Sequence, residues 1–259
     1  MSLSQNIDRL LFNPDGEMAD EFSMLYASLF DKPEPYIKVV EALTKKKSGL
    51  TREELVKQSG LSSNGKLSRI IKELEWCGFI RTFNRIGQKK KDAIIQLIDL
   101  YTLFYYQVSL DSAGDEQYWS HHLLSGQLNS WMGRAFERVC LWHVPQIKDA
   151  LGINGIASSV YSWYIKGTDV AKGAQIDLLI ERADDVISLC EMKFSEDDYS
   201  ITNTEEENLR RRRSRFIEET GTKESVQYVL VTTYGLAQGK HNHMIQRTIT
   251  MNDLFLPRR

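Results

Sequence analysis

The stretch "QIDLLIERADDVISLCEMKFS", Gln175 to Ser195, decides how this chain is read. Two apolar runs flank a polar turn, Arg182-Ala183-Asp184-Asp185, and predict a β-hairpin. Ile176, Leu178, Leu179 and Ile180 cover both faces of the first strand, and Val186, Ile187, Leu189, Cys190 and Met192 nearly do so for the second. Strands apolar on both faces are central strands covered by other elements. Yet Asp177, Glu191 and Lys193 lie inside these runs. Side chains alternate along a strand, so Glu191 and Lys193 share one face, as do Gln175 and Asp177 on the preceding strand. Pairing of the strands lets the two sets converge. On a half-exposed hairpin such charges need no explanation, but in a covered sheet a carboxylate is costly unless a cation or hydrogen bonds compensate it. Two carboxylates beside a lysine there make a cation site, and oxygen-only ligands suit magnesium.

Outward from the hairpin, the pattern predicts a separate α/β domain over 131–259. "GRAFERVCLWHVPQIKDAL" has helical spacing, with Phe136, Val139, Cys140 and His143 on one stripe. "SSVYSWYIK" reads as a strand before the hairpin, "EEENLRRRRSRFIEETG" as a charged helix after it, "SVQYVLVTTYG" as an apolar strand, and "RTITMNDLF" as a short strand with a helical end. The order implies a mixed sheet. The arginine run Arg210–Arg213 either lines a phosphate groove or belongs to a solvated helix with i,i+4 acid–base pairs, which is the commoner case.

Upstream, residues 33–100 carry a different pattern. Tyr36, Ile37, Val40 and Leu43 mark a first helix; Thr51 with Glu54 three residues later opens a second by a capping box. Leu67, Ile70, Ile71 and Leu74 recur at i, i+3, i+4 and i+7 in a third, leaving Lys66, Arg69 and Lys72 toward solvent. The basic segment "GFIRTFNRIGQKKKDAIIQLID" then reads as a hairpin, and the whole order predicts a winged helix-turn-helix. From Ser62 to Asp92, eight cations (Lys66, Arg69, Lys72, Arg81, Arg85, Lys89, Lys90 and Lys91) stand against three acids, a net +5 in a chain of net charge −2. Local charge is what a phosphate backbone feels, so DNA is the expected partner, with Lys66, Arg69, Lys72, Arg85, Lys89, Lys90 and Lys91 as its contacts. Residues 101–130 are aromatic and helical in spacing, a connector. Residues 1–32 predict amphipathic helices with too few partners for a core of their own, which reads as the tail end of something larger.

"GLSSNGKLS", Gly60 to Ser68, matches the phosphate-binding loop GxxxxGK[ST] except at its last position, where Leu67 offers no hydroxyl to a magnesium ion. No apolar strand precedes it, so the stretch is a turn and the chain carries no nucleotide loop. The three cysteines, Cys77, Cys140 and Cys190, are far apart, lie among apolar neighbours and form no CxxC, which predicts buried reduced thiols in a cytoplasmic protein. The pairs His121-His122 and His241-Asn242-His243 have no second ligand cluster beside them and read as surface or packing histidines. No apolar run approaches the roughly 20 residues of a membrane helix.

Asp177, thirteen residues, then Glu191-Met192-Lys193 resembles the PD-(D/E)xK phosphodiesterase superfamily. The resemblance implies a magnesium ion held by Asp177, Glu191, the Met192 carbonyl and an acid from the helix before the sheet, here Glu137 in "GRAFERVC". It also implies that Lys193 orients the attacking water and stabilises developing charge. Ile176 stands where that superfamily has proline. Taken together, "NIDRLLF", "EFSMLYASLF", "LTREELVKQSGLSSNGKLSRIIKELEWCGFI", "WMGRAFERVC", the hairpin and "TITMNDLF" resemble the C-terminal portion of a family of prokaryotic AAA-type ATPases. Members carry a P-loop domain, then a winged helix, then a nuclease-like domain. The resemblance implies an ATPase domain upstream, with ATP bound there and not in this chain. The expected function is therefore a DNA-binding winged helix joined to a magnesium-dependent nuclease-like domain. The alternative is a catalytically inert DNA- or protein-binding module that regulates the ATPase.

Overall fold

A computed structural model describes residues 1–87, 93–112, 114–168 and 172–257. The chain forms two compact units, one of residues 1–82 and 93–135, the other of residues 83–92 and 136–259.

In the first unit, α1 (Leu3–Ile7) runs into a π-helical turn, Asp8–Phe12, and is followed by α2 (Glu21–Leu29) and α3 (Glu34–Thr44). A short strand β1 (Leu50–Thr51) leads into α4 (Arg52–Ser59) and α5 (Gly65–Trp76); β2 (Ile80–Phe83) and β3 (Ile94–Leu97) complete a three-stranded sheet in the order β1-β3-β2. Thr51 caps α4 through a reciprocal bond with Glu54, and Gly60 ends it in the left-handed region at φ 70°. Leu67, Ile70 and Leu74 of α5 are buried as the helical spacing requires, and Ile71 is partly buried beside them.

The segments expected to lie outside this unit are part of it. Phe22, Tyr26 and Phe30 of the α2 region share one core with Leu55, Leu67 and Leu97. Leu103 on α6 (Leu100–Gln107) joins the same core. Aromatic stacking provides the missing partners: the Phe22 ring lies 3.8 Å from Tyr105, and Phe30 lies 3.8 Å from Tyr36. A second cluster gathers Phe12, Phe104, Tyr118, Trp119 and Leu128, and the buried Asp8 accepts bonds from the Trp119 and Ser120 backbones at the start of α7 (Tyr118–His122). Neither 32/33 nor 100/101 is a boundary between compact units. Helical spacing reveals a buried stripe but not which neighbour covers it.

The second unit is built on a five-stranded mixed sheet. Helices α8 (Gly126–Trp142, shared with the first unit's last residues) and α9 (Val144–Leu151) precede β4 (Ser158–Ile165), β5 (Ala174–Arg182) and β6 (Val186–Lys193). Then come α10 (Asn203–Thr220), β7 (Ser225–Thr232), β8 (Ile245–Thr250) and α11 (Met251–Leu254). The order is β4-β5-β6-β7-β8, antiparallel from β4 to β6 and parallel from β6 to β8. The hairpin thus occupies the middle of the sheet, and its turn places Asp185 at φ 62°, a conformation that aspartate tolerates better than most residues. Leu178, Ile180, Cys190 and Met192 face Phe136, Cys140 and Ile147 of α8 and α9. Leu179, Ile187 and Leu189 face Leu209 and Phe216 of α10. Both faces are therefore covered, as strands apolar on both sides demand.

Among the described residues no helix is long and apolar enough to cross a membrane. All three cysteines are free; Cys140 and Cys190 are buried, but Cys77, expected to be buried as well, is exposed at the C-cap of α5. Leu74 is the last buried residue of the α5 stripe, and Cys77 begins the turn beyond it.

Candidate functional site

The β5–β6 register runs from Arg182↔Val186 to Leu178↔Cys190 and ends there. Beyond that point β5 follows β4 as far as Ala174↔Ile165, while β6 follows β7 as far as Lys193↔Thr232. The middle of the sheet forks, with Gln175 and Asp177 on one arm and Glu191 and Lys193 on the other. A fork exposes backbone and side chains that a continuous ladder would close off. The N-terminal half of α10 lies over it, and the space between is a cleft of about 360 Å³.

Glu191 and Lys193 follow the alternation of β6 and project on the α10 face, opposite Cys190 and Met192. Both Glu191 oxygens are held by cations: Oε1 lies 3.1 Å from Lys193 Nζ, and Oε2 lies 2.8 Å from Arg212 Nη1. The pair is mostly enclosed, with Glu191 15% and Arg212 20% exposed. Burial pushes the Glu191 carboxyl up, but the Arg212 guanidinium and the Lys193 ammonium outweigh burial and hold it below the usual carboxylate range. Burial likewise opposes the charge of Arg212, and Glu191 overcomes it.

Asp177 sits where strict alternation stops governing the strand. Tyr161 pairs with Leu179 but Trp163 with Ile176, so Asp177 and Leu178 together oppose Ser162 in a β-bulge. Bulges re-aim side chains and recur beside functional sites. The Asp177 carboxylate accepts a hydrogen bond from Gln175 Nε2, and its charge is among those that sustain the Arg212 guanidinium. Arg212 is therefore paired with Glu191 and feels Asp177 only as a more distant charge.

Arg212 is the site residue that the hairpin pattern does not reveal. Its signal lies in helical phase: Leu209, Arg212 and Phe216 stand at i, i+3 and i+7, and Leu209 and Phe216 are buried. The rest of the arginine run follows the solvated-helix pattern in part. Arg210 pairs with Glu206 and Arg215 with Glu219 at i,i+4, while Arg211 donates to the Gly173 carbonyl at the cleft. Glu205 has a double role. It closes the capping box of α10 with Thr202, and its carboxylate accepts from the Tyr199 hydroxyl and lies 4.0 Å from Lys193.

Glu137 lies on α8, whose Phe136 and Cys140 pack on the face of Leu178 and Met192, away from Glu191. It is buried, with Arg138 3.9 Å away, and its charge helps to raise the Cys140 thiol. Among the described residues no three acidic, histidine or cysteine groups gather to hold a metal, so Glu137 does not complete a set with Asp177 and Glu191. In donor chemistry the fork still fits magnesium. Glu191 offers one hard carboxylate at the cleft and Asp177 a second on the facing arm of the fork, and this ion is commonly held by one or two carboxylates with phosphate and water supplying the rest. Met192, whose carbonyl is the further donor implied by the motif, turns its side chain to the opposite core.

The expected nucleic-acid contacts are divided. Lys66, Arg69 and Lys72 are exposed on α5, but Arg69 Nε is 2.8 Å from Glu73, and Lys72 Nζ lies 4.5 Å from the Trp76 ring centre. Arg85 belongs to the second unit, where its backbone bridges to Ser162 and its guanidinium stacks on Tyr164 at 5.1 Å. Lys89, Lys90 and Lys91 lie outside the described residues. No family model, curated protein or solved structure matches the chain.

Proposed function

We propose that this chain is the C-terminal region of a prokaryotic AAA-type ATPase, that its first unit is a winged helix engaging DNA, and that its second is a magnesium-dependent phosphodiesterase of the PD-(D/E)xK type. The observation that carries the reading is the fork between β5 and β6, with Asp177 on one arm, Glu191 and Lys193 on the other, and the latter two lining the cleft beneath α10. The element order α3, β1, α4, α5, β2, β3 supports the winged helix, with α5 as its recognition helix. The exposed Lys66, Arg69 and Lys72 of α5 give it a sequence-independent hold on phosphates.

Asp177 and Glu191 would hold the ion, which when bound supplies Lewis-acid polarisation of the scissile phosphate. Lys193, in contact with Glu191, is placed to orient the attacking water and to stabilise charge developing on the phosphoryl oxygens. Arg212 and Arg211 add positive charge along the cleft, which draws an anionic strand in.

One observation favours a second reading, in which the fork grips phosphate without cutting: Glu191 is already neutralised by Lys193 and Arg212. A cleavage assay with magnesium or manganese separates the two. Single- and double-stranded DNA and RNA should be tried on the wild type, Asp177→Ala and Lys193→Ala. Cleavage lost in both variants, with metal binding lost only in Asp177→Ala, supports the phosphodiesterase. Binding without cleavage of any of these substrates transfers the reading to the inert module.

A further inference from the structure

The state of Glu191 sets a condition on how its site can be loaded. Its two oxygens are each taken by a cation, Lys193 at 3.1 Å and Arg212 at 2.8 Å. A metal ion coordinating Glu191 would stand beside both cations, and repulsion between like charges drives at least one of them away. Lys193 has a second acid at hand, Glu205 at 4.0 Å. Arg212 is more enclosed, and a buried guanidinium stripped of its counter-charge is strongly unfavourable unless another anion takes its place. The planar fork of the guanidinium suits a phosphate as well as a carboxylate, and it lines the same cleft that a substrate would enter.

We propose that Arg212 is a phosphate-binding residue that exchanges partners: it holds Glu191 while the cleft is empty, and passes to a non-bridging oxygen of the substrate phosphate when Glu191 turns to the metal. The inference rests on the phosphodiesterase reading and adds regulation of the same site. Its consequence is mutual dependence. Metal alone binds weakly because it must strand Arg212, and phosphate alone binds weakly because Arg212 is occupied. Together each removes the other's obstacle. Linkage makes the gain reciprocal, the same factor for metal in the presence of phosphate as for phosphate in the presence of metal. A fork so arranged keeps its metal only when a phosphodiester or nucleotide is in place.

The test is calorimetric titration of manganese into the 259-residue chain, with and without saturating deoxythymidine 5′-monophosphate and corrected for metal bound by free nucleotide. Asp177→Ala serves as the control for heat arising at the fork. The wild type should bind the ion about tenfold more tightly with the nucleotide present, within the range of ordinary coupling. Arg212→Met should bind the bare ion more tightly than the wild type, because a competitor for Glu191 is gone, and the nucleotide should then improve binding less than about threefold. Arg212→Lys keeps the charge but not the fork geometry and should show an intermediate gain; it also provides a reading if Arg212→Met does not fold. Equal metal affinity with and without nucleotide in the wild type overturns the exchange while leaving the phosphodiesterase in place. So does an undiminished gain in Arg212→Met. No manganese binding under either condition overturns the phosphodiesterase reading itself, and the exchange with it.

Discussion

On α5 the cations Lys66, Arg69 and Lys72 stand in solvent, whereas on α10 Arg212 turns inward to the sheet. Both helices are rich in charge, and each has an i,i+4 acid–base pair, Arg69 with Glu73 and Arg210 with Glu206. The difference lies in what their stripes cover. The buried stripe of α5 is apolar throughout, with Leu67, Ile70 and Leu74, so its cations stay on the surface, Arg69 beside Glu73 and Lys72 over Trp76. The stripe of α10 carries an arginine between Leu209 and Phe216, and that arginine meets a carboxylate in the sheet below. A cation's worth is set by its depth and its partner. Exposed pairs are screened and cost entropy to hold, while an enclosed pair becomes a fixed part of the structure.

Variants can break the comparison, and those with the largest effect lie under α10. Phe216 is fully buried against Trp163 and the sheet, so Phe216→Ala should cost about 3–5 kcal/mol and unseat the helix that carries Arg212. Trp76 on α5, 72% exposed, is its counterpart; Trp76→Ala should change stability by no more than about 0.5 kcal/mol. Urea unfolding of the two variants beside the wild type measures both. Equal losses would mean that the helices are seated alike. Next comes the ion pair. Glu191→Ala leaves Arg212 without its principal counter-charge and should cost about 2 kcal/mol, discounted from a fully buried pair because water still reaches both groups. Glu73→Ala on α5, which gives up an exposed arginine and the Tyr36 hydroxyl, should cost less than Glu191→Ala. If both substitutions were silent, the contrast between the helices would be one of geometry alone.

A smaller effect sharpens the same contrast through pH. The Glu191 carboxyl is held lower in the folded chain than its ordinary value of 4.5, so the unfolded chain binds more protons as the solution is acidified. The stabilisation is complete above the ordinary carboxylate range and is lost as pH falls through the lowered value. Thermal unfolding followed downward from neutral pH should show this loss in the wild type and a shallower one in Glu191→Gln. An identical acid limb in the two proteins would mean that Arg212 and Lys193 do not hold the carboxylate. The weakest effect belongs to the α5 surface. Reversing Lys66, Arg69 and Lys72 to glutamate should lower affinity for duplex DNA evenly across sequences and flatten its dependence on salt, with little change in stability. Affinity unmoved by the reversal and by salt would turn the first unit into a protein-docking domain.

Much of this arrangement can be read in the chain before it folds. The hairpin follows from apolar runs around Ala183-Asp184-Asp185, its central position from strands apolar on both sides, and the shared face of Glu191 and Lys193 from simple alternation. The capping box at Thr51 and Glu54 and the stripe of α5 are equally local signals. What escapes depends on contacts between distant segments. The bulge at Asp177 and Leu178 is set by how β4 pairs with β5, so alternation alone cannot orient Asp177. Four consecutive arginines look alike until the phase of Leu209 and Phe216 singles out Arg212. The opening helices find their partners about 80 residues away, in stacks such as Phe22 on Tyr105, which no local pattern announces. Glu137 matches the motif in sequence but is carried on a helix that packs against the other face.

The central claim is that the acids of the fork converge on one ion. Crystals of the chain soaked in manganese, with anomalous scattering recorded at its absorption edge, test this most directly. The account expects a single peak with Asp177 and Glu191 oxygens at coordinating distance, about 2.1 Å, and Arg212 withdrawn from Glu191. A fork with no anomalous peak, Glu191 still bonded to Arg212, and manganese bound elsewhere or nowhere would contradict it.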